Sequence, residues 1–401
     1  MTQSILLREE TKVISALERH ASRRKWLLWA SAFCVLVSLI TACPNYNFYA
    51  EQLIAPSGKK TTDFLQDKTN FERQIAHPLV PIHQLIQIDS DFDHIAKRGF
   101  RLVMPVIGHL FGLGLTGCLF LQHLMGFIFI FCVGSLGYEI TGDRISAVFL
   151  MLAFSLVYLL NSFFYQLNIH FDGPAYLLMI LAMLARGPWP ISVAIFLAGF
   201  ADERALIAFP LVFLWHLMRN NDLQEFSARS FFSWNSSAVG CAAGLLIHLL
   251  VRLSMMRWFD FRLPVGNQNG VGLERVRDQF SQAPVGIISP LEALWLLPVL
   301  ALALLVLSKR HALLSVYSLA IAAVLIAGLS VVDTTRSMAY VFPAIFIAIK
   351  IVKSLDDDFF TSHFFFRIAL VCFLIPSYSG SSGSHWLSPI FPKVLRWFFT
   401  G

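Results

Sequence analysis

Apolar residues along this chain gather into long unbroken runs instead of alternating with polar ones, and most charged residues fall in the gaps between runs. The runs cover Trp26 to Ala42 and then about 114 to 137, 145 to 163, 173 to 186, 190 to 201, 205 to 218, 235 to 254, 289 to 307, 312 to 330, 337 to 352 and 363 to 376. A helix needs about 20 mostly apolar residues to cross the hydrocarbon layer of a bilayer. The pattern therefore predicts an all-α, polytopic integral membrane protein with about eleven transmembrane helices within residues 26–376. Runs 190–201 and 205–218 are short for a crossing, which predicts a tilted or locally thinned pair, or a broken helix.

The gaps between runs differ in character. In residues 1–25, Leu6, Leu7, Val13, Ile14 and Leu17 fall on one face of a charged helix, which predicts an amphipathic N-terminus on the cytoplasmic membrane surface. Residues 43–101 are too long and too polar a stretch to be embedded and form a long first extracytoplasmic loop, from which an amphipathic segment, Arg101 to Gly112, re-enters the membrane. Residues 255–288 form a later loop on the same side. The tail, 377–401, mixes Trp386, Phe391, Lys393, Arg396 and Trp397 in the manner of an interfacial segment on the outer surface.

Composition narrows the class. Apolar and aromatic residues make up 56% of the 401 and charged residues only 14%, a balance that excludes a soluble globule, a disordered chain, a collagen and a coiled coil. The net charge of +6 has a topological meaning before any other. Arg23, Arg24 and Lys25 stand just before the first run, and Arg144, Arg186, Arg219, Lys309, Arg310, Lys350 and Lys353 all alternate onto the same side. Basic residues in short loops mark the cytoplasm, so the N-terminus is placed inside, the C-terminus outside, and the protein in the plasma (inner) membrane. Six cysteines lie within or at the ends of apolar runs with no zinc spacing, and read as packing residues. P-loop, G-x-S-x-G, H-E-x-x-H and nucleic-acid motifs are absent, as are internal repeats, so nucleic acid is not an expected partner.

The chemistry must lie in the few charges near membrane depth, where an ionisable group is costly and functional by default. On the outer face stand Asp89, Asp91, Asp93 and His94 late in the first loop, His170 and Asp172 capping the third run, Asp202-Glu203-Arg204 between two runs, and Asp333 with Arg336. The loop from Arg257 to Pro290 adds Asp260, Arg262, Glu274, Arg275, Arg277 and Asp278. Carboxylates in a polar cavity at the outer leaflet can take a proton from a hydroxyl, and arginines can grip a phosphate through two parallel hydrogen bonds. Alternating Asp89, Asp91 and Asp93 can also converge on a divalent cation, Mg or Mn, although the spacing is not that of an EF-hand. Short outer turns are solvated in any case, so each acid also has a plain structural reading. His109, His123 and His248 stand alone in apolar segments and are expected to hydrogen-bond neighbouring helices. Asn235 opens Asn-Ser-Ser, a formal glycosylation acceptor that this topology places inside.

The acidic first outer loop leading through Lys97-Arg98-Gly-Phe-Arg101-Leu-Val-Met-Pro105 into the second span resembles the GT-C superfamily of membrane glycosyltransferases, as does the outer hairpin Phe200-Ala-Asp-Glu-Arg204-Ala-Leu-Ile. The resemblance covers roughly residues 26 to 218 and is architectural. It implies a sugar taken from a polyprenyl-phosphate donor and passed, with inversion, to a glycan, lipid or protein acceptor at the outer leaflet. It makes Asp91 or Asp93 the base, with Asp89 or His94 orienting it and Asp202 or Glu203 as the other candidate acids. Arg101, Arg204 and Arg336 become the candidates to hold the departing phosphate. In many members the acids follow the first span closely; here the nearest is Glu51 and the Asp triplet comes much later. A transporter or flippase, a polysaccharide polymerase or ligase, and a noncatalytic membrane protein are the rival readings. Few charges fall in the middle of spans, which favours an enzyme over a transport path.

Overall fold

The computed structural model describes residues 2–42, 46, 63–85, 97–165, 169, 171–219, 223, 226–261, 272, 276–277, 283–331, 333–357, 359–375, 378–381 and 383–386. Helices follow in chain order as α1 (Thr2–Ala21), α2 (Trp26–Ala42), α3 (Asp63–Ala76), α4 (Ile82–Leu85), α5 (Val103–Phe111), α6 (Leu115–Thr141), α7 (Arg144–Leu156), α8 (Tyr158–Tyr165), α9 (Gly173–Leu184) and α10 (Pro188–Ala201). They continue as α11 (Phe209–Arg219), α12 (Ala228–Phe232), α13 (Ser236–Trp258), α14 (Ala283–Ile288), α15 (Leu296–Leu307), α16 (His311–Leu329), α17 (Thr334–Met338), α18 (Pro343–Leu355) and α19 (Ser362–Leu374). One antiparallel hairpin, β1 (Tyr378–Ser381) with β2 (Gly383–Trp386), pairs Tyr378 with Trp386 in the tail.

The predicted apolar runs are helical, but among the described residues eleven full-length spans are not found. There, four helical stretches are long and apolar enough to cross a membrane, namely Leu115–Thr141, Ser236–Trp258, His311–Leu329 and Thr334–Leu355, or five if α7 and α8, bent by 64° at Val157, count as one. The reason lies in the helix ends. Apolar content says nothing of where a helix must start, whereas Pro174 and Pro188 occupy first-turn positions that begin α9 and α10. Gly187, at φ 96°, takes the left-handed turn between them. The result is a run of helices shorter than a usual crossing.

Thr334–Leu355, made of α17, the turn Ala339–Val341 and α18, is the axle of the fold. Met338 to Phe342 and Ala344 to Ile349 have no exposed surface at all, as expected of a helix that is apolar on every side. Around it an aromatic core joins Phe129 to Phe342 at 5.6 Å, Phe154 to Phe346 at 5.7 Å and Phe129 to Phe163 at 5.3 Å. Helix α13, by contrast, turns Leu246, Leu250 and Leu253 outward. Such an exposed apolar face suits lipid contact.

The closest helix pair is α10 with α13. A Cβ on Gly240 would lie 2.6 Å from the Pro188 carbonyl oxygen and one on Gly244 2.5 Å from that of Ser192, so only glycine fits at either place. These two glycines, four apart, are the small-residue spacing that lets membrane helices approach. Ser192 Oγ donates to the Gly240 carbonyl at 2.7 Å in the same contact. This pairing fixes α10, which ends at Asp202.

The N-terminal residues form a helix, as expected, and part of its expected apolar face packs on the bundle. Ile14 and Ala21 are buried against α7 and α19, while Val13, expected on the same face, is exposed. Glu10 is buried beside α19, with His363 Nδ1 at 2.9 Å and Arg367 at 3.5 Å. α1 is therefore clamped to the bundle. Two of the three isolated histidines do as expected: His109 Nδ1 meets the Ile75 carbonyl at 3.0 Å and His248 Nδ1 that of Phe196 at 3.2 Å, each across a helix pair. His123 instead bonds the Leu119 carbonyl of its own helix, and Tyr46 through its other nitrogen. Asn235 spends its amide on structure, accepting from Ala238 N to cap α13 and donating to the His216 carbonyl, both at 2.8 Å. Cys34, Cys118, Cys132, Cys241 and Cys372 are free and buried.

Candidate functional site

At the head of the axle three arginines from distant parts of the chain close on two buried carboxylates. Asp172 immediately precedes α9 and has a wholly buried side chain. Arg336, on α17, clasps it with Nε to Oδ2 at 2.7 Å and Nη2 to Oδ1 at 2.9 Å. Arg204 reaches the same Oδ1 through Nη2 at 2.8 Å. Arg101 Nη1 stands 3.7 Å from it.

Asp202 is the second centre. It ends α10 and caps the tight turn Glu203–Leu206, accepting from the backbone N–H of Arg204 at 2.9 Å. Its carboxylate also takes the Arg204 guanidinium, through Nε at 2.9 and 3.1 Å and through a further contact from Nη2. Arg101 lies 3.5 Å from Asp202 and pairs with Glu203, Nη2 to Oε1 at 3.2 Å and Nε to Oε2 at 3.3 Å. Asp333 completes the rim, accepting from Arg336 Nη1 at 2.7 Å.

Local structure explains how Arg101 arrives. Arg98 holds Asp67 of α3 through both guanidinium arms, at 2.7 and 3.0 Å, and Gln74 donates to the Arg98 carbonyl at 3.0 Å. The next turn then docks on α10, with Leu102 N donating to the Phe200 carbonyl at 2.8 Å. Arg101 therefore lies between the first loop and the Asp202 turn. It also borders a narrow cleft of about 20 Å³, room for about one water, with Asn70, Gln74, Phe71 and Phe171, the two phenylalanine rings stacking at 4.8 Å. Among the described residues the buried Asn70 Nδ2 finds no hydrogen-bond partner there. Beneath the cluster, Tyr176 donates to the Arg336 carbonyl at 3.0 Å, and the Arg204 guanidinium lies 5.7 Å from the Tyr340 ring centre.

Charge governs the chemistry here. Burial opposes ionisation of Asp172, and the Arg336 and Arg204 guanidiniums overcome it, holding the carboxyl well below the usual carboxylate range. Burial likewise opposes the charges of Arg101 and Arg204, and Asp202 with its fellow carboxylates overcomes that, holding both above the usual guanidinium range. Asp172 and Asp202 are thus committed as counter-ions. Glu203, with 30% of its side chain exposed, and Asp333, with 41%, are the acids that an incoming hydroxyl can reach.

The structure brings together Arg101, Arg204, Arg336, Asp202 and Glu203 of the candidates read from the sequence. Asp89, Asp91, Asp93 and His94, the candidate base, orienting group and cation ligands, lie outside the described residues, as does His170. Among the described residues no group of three or more His, Cys, Asp or Glu is arranged to hold a metal ion. Asp172, which the sequence places on the acidic outer face but not among the candidate catalytic or phosphate-binding residues, is the hub. Its signal was an acid directly before Gly173-Pro174 with apolar residues beyond. Compared with protein-family models, curated proteins and solved structures, this chain finds no match in any of the three.

Proposed function

We propose that this is a polytopic membrane glycosyltransferase of GT-C-like architecture, transferring a sugar from a polyprenyl-phosphate donor to a glycan, lipid or protein acceptor at the outer leaflet of the plasma membrane. The observation that carries the reading is the convergence of Arg101, Arg204 and Arg336 at one end of the bundle, with Arg101 bordering a cleft. In this reading Arg204 and Arg336 are held by Asp172 and set the frame, while Arg101 meets the phosphate. A carboxylate at the rim takes the proton of the acceptor hydroxyl. Glu203 is the candidate among the described residues, and Asp91 or Asp93, eight or more residues ahead of Arg101 in the chain, are the candidates outside them. The hydroxyl oxygen then attacks the anomeric carbon, the bond to the phosphate oxygen breaks with inversion, and the guanidinium stabilises the charge left on the departing polyprenyl phosphate. Alternating acids at 89, 91 and 93 could hold Mg or Mn beside that phosphate.

The test is direct. Purified protein incubated with radiolabelled polyprenyl-phosphate sugars should release free polyprenyl phosphate and label an acceptor or water. Arg101→Lys, which keeps the charge and loses the planar fork, should weaken use of the donor. Glu203→Gln, or Asp91→Asn and Asp93→Asn if the base lies in the loop, should lower turnover by about 100-fold or more. Full turnover in all of these variants, or no polyprenyl-phosphate binding by the native protein, would dismiss the reading. A second reading is favoured by one observation: Asp172 and Asp202 already occupy the inner arginines. A closed ion network of that kind suits the outer gate of a transporter or flippase, which would show no sugar transfer in this assay.

A further inference from the structure

The other end of the axle holds a second polar site. Helices α6, α11 and α18 finish together there and enclose a cavity of about 400 Å³ lined by Glu139, Trp215, Arg219, Lys350, Lys353 and Asp357, with apolar wall from Ile140. Lys350 and Lys353 are three apart on α18 and so share a face. The site lies fourteen residues along the helix from Arg336, about 21 Å at the rise of an α-helix.

Two of its three cations have structural work. Arg219 donates to the carbonyls of Met183 and Ala185 at 3.0 Å, closing the end of α9, and pairs with Glu139 at 2.6 Å. Lys353 donates to the Thr141 carbonyl at the end of α6 at 2.8 Å and stands 3.5 Å from Asp357. Each therefore covers the negative end of a helix, and each acid in the cavity wall is already engaged. Lys350 has no such task. Its ammonium lies 5.6 Å from the Trp215 ring centre, and among the described residues it makes no hydrogen bond or ion pair. Among the described residues the acids of the cavity wall, Glu139 and Asp357, already pair with Arg219 and Lys353. Although the charge of Glu139 also acts on the half-buried Lys350 ammonium, that ammonium is open to a further anion.

We propose that this cavity binds a phosphate group, with Lys350 as its main contact and Lys353 and Arg219 as flanking charge. Lysine binds phosphate as a point charge, and basic pockets between membrane helices take phosphate-bearing head groups. The volume, within the range of small-molecule sites, accommodates a phosphate and part of what it is esterified to. The phosphate can come from a lipid head group or from solution, and the experiment separates them.

The full chain, purified in neutral detergent, is titrated with inorganic phosphate and separately with phosphatidic acid while the thermal unfolding midpoint is followed. Stabilisation by both probes assigns the site to the phosphate itself, and stabilisation by phosphatidic acid alone assigns it to a lipid head group. In either case Lys350→Gln should weaken the responding probe by about tenfold or more, the scale of one charge-assisted hydrogen bond. Lys350→Met, which keeps an unbranched apolar side chain against Trp215 and removes the charge, gives the same reading should the Gln variant fail to fold. Lys309→Gln, in the loop before α16, is the control and should titrate like the native protein. No shift with either probe, Lys350 variants that titrate like the native protein, or an equal loss in Lys309→Gln would each overturn the proposal.

Discussion

Asp172 concentrates the energetic risk of the molecule in one side chain. Two guanidiniums share its carboxylate, which has no exposed surface, and removing one member of a buried ion group costs about 3–5 kcal/mol because the remaining charges stay desolvated. Asp172→Asn should therefore lower stability by about that amount, read as a fall in the unfolding midpoint in detergent. Asp333→Asn, removing a partner on the exposed rim, should cost about 1 kcal/mol or less. The acid also sets a pH limit, and its sign follows from the direction of the shift. A carboxyl held below its ordinary range when folded contributes stability that is complete above the unfolded value, near 3.9, and is lost as pH falls through the lowered folded one. Native stability should be level from about pH 8 to 5 and drop below about pH 4, and Asp172→Asn should flatten that drop. Arg101, Arg204 and Arg336 were legible in the sequence because a charge between apolar runs stands out. Their pairing was not, since Arg204 and Arg336 stand 32 and 164 residues from Asp172 and no local pattern encodes such a contact.

At the level of elements, the site depends on how tightly α10 is drawn to α13. Gly244→Leu would force a side chain into the Ser192 backbone, and overpacking of this kind costs about 1–3 kcal/mol. It should also displace the Asp202 turn, so that stability and donor use fall together, whereas Gly114→Ala, with open space around it, should leave both unchanged. Apolar runs announced their helices because composition over a dozen residues is a local property, and the gap between two of them at Thr141-Gly142-Asp143-Arg144 is a tight turn, with Gly142 at φ 72° and Asp143 capping α7. Of the helices' lengths, the shortness of the runs at 190–201 and 205–218 was legible; the 64° break at Val157, where the sequence has neither proline nor glycine, was not. Gly240 and Gly244 were legible only as glycines; the partner that made them necessary lies some fifty residues earlier.

For the whole molecule, the two polar sites stand at opposite ends of one buried helix, and the proposed orientation puts the arginine cluster outside and the lysine cavity inside. Thiol labelling of intact cells checks this. A cysteine at position 260, whose aspartate side chain is 58% exposed, should label from outside, and one at 309 only after permeabilisation; the reverse would invert every assignment of side. The short helices beside the cluster carry a consequence of their own. Helices α9, α10 and α11 have 12, 14 and 11 residues, about 16–21 Å of helix against a hydrocarbon layer of about 30 Å. Of these helices, α9 and α11 are buried in the bundle, and α10 turns Trp189 and Val193 outward. A bilayer meeting α10 must thin to match it, at an elastic cost that depends on acyl-chain length. Membrane thickness is then expected to control the proposed activity: in vesicles of otherwise identical head groups, short-chain lipids should raise use of the proposed donor and long-chain lipids should lower it.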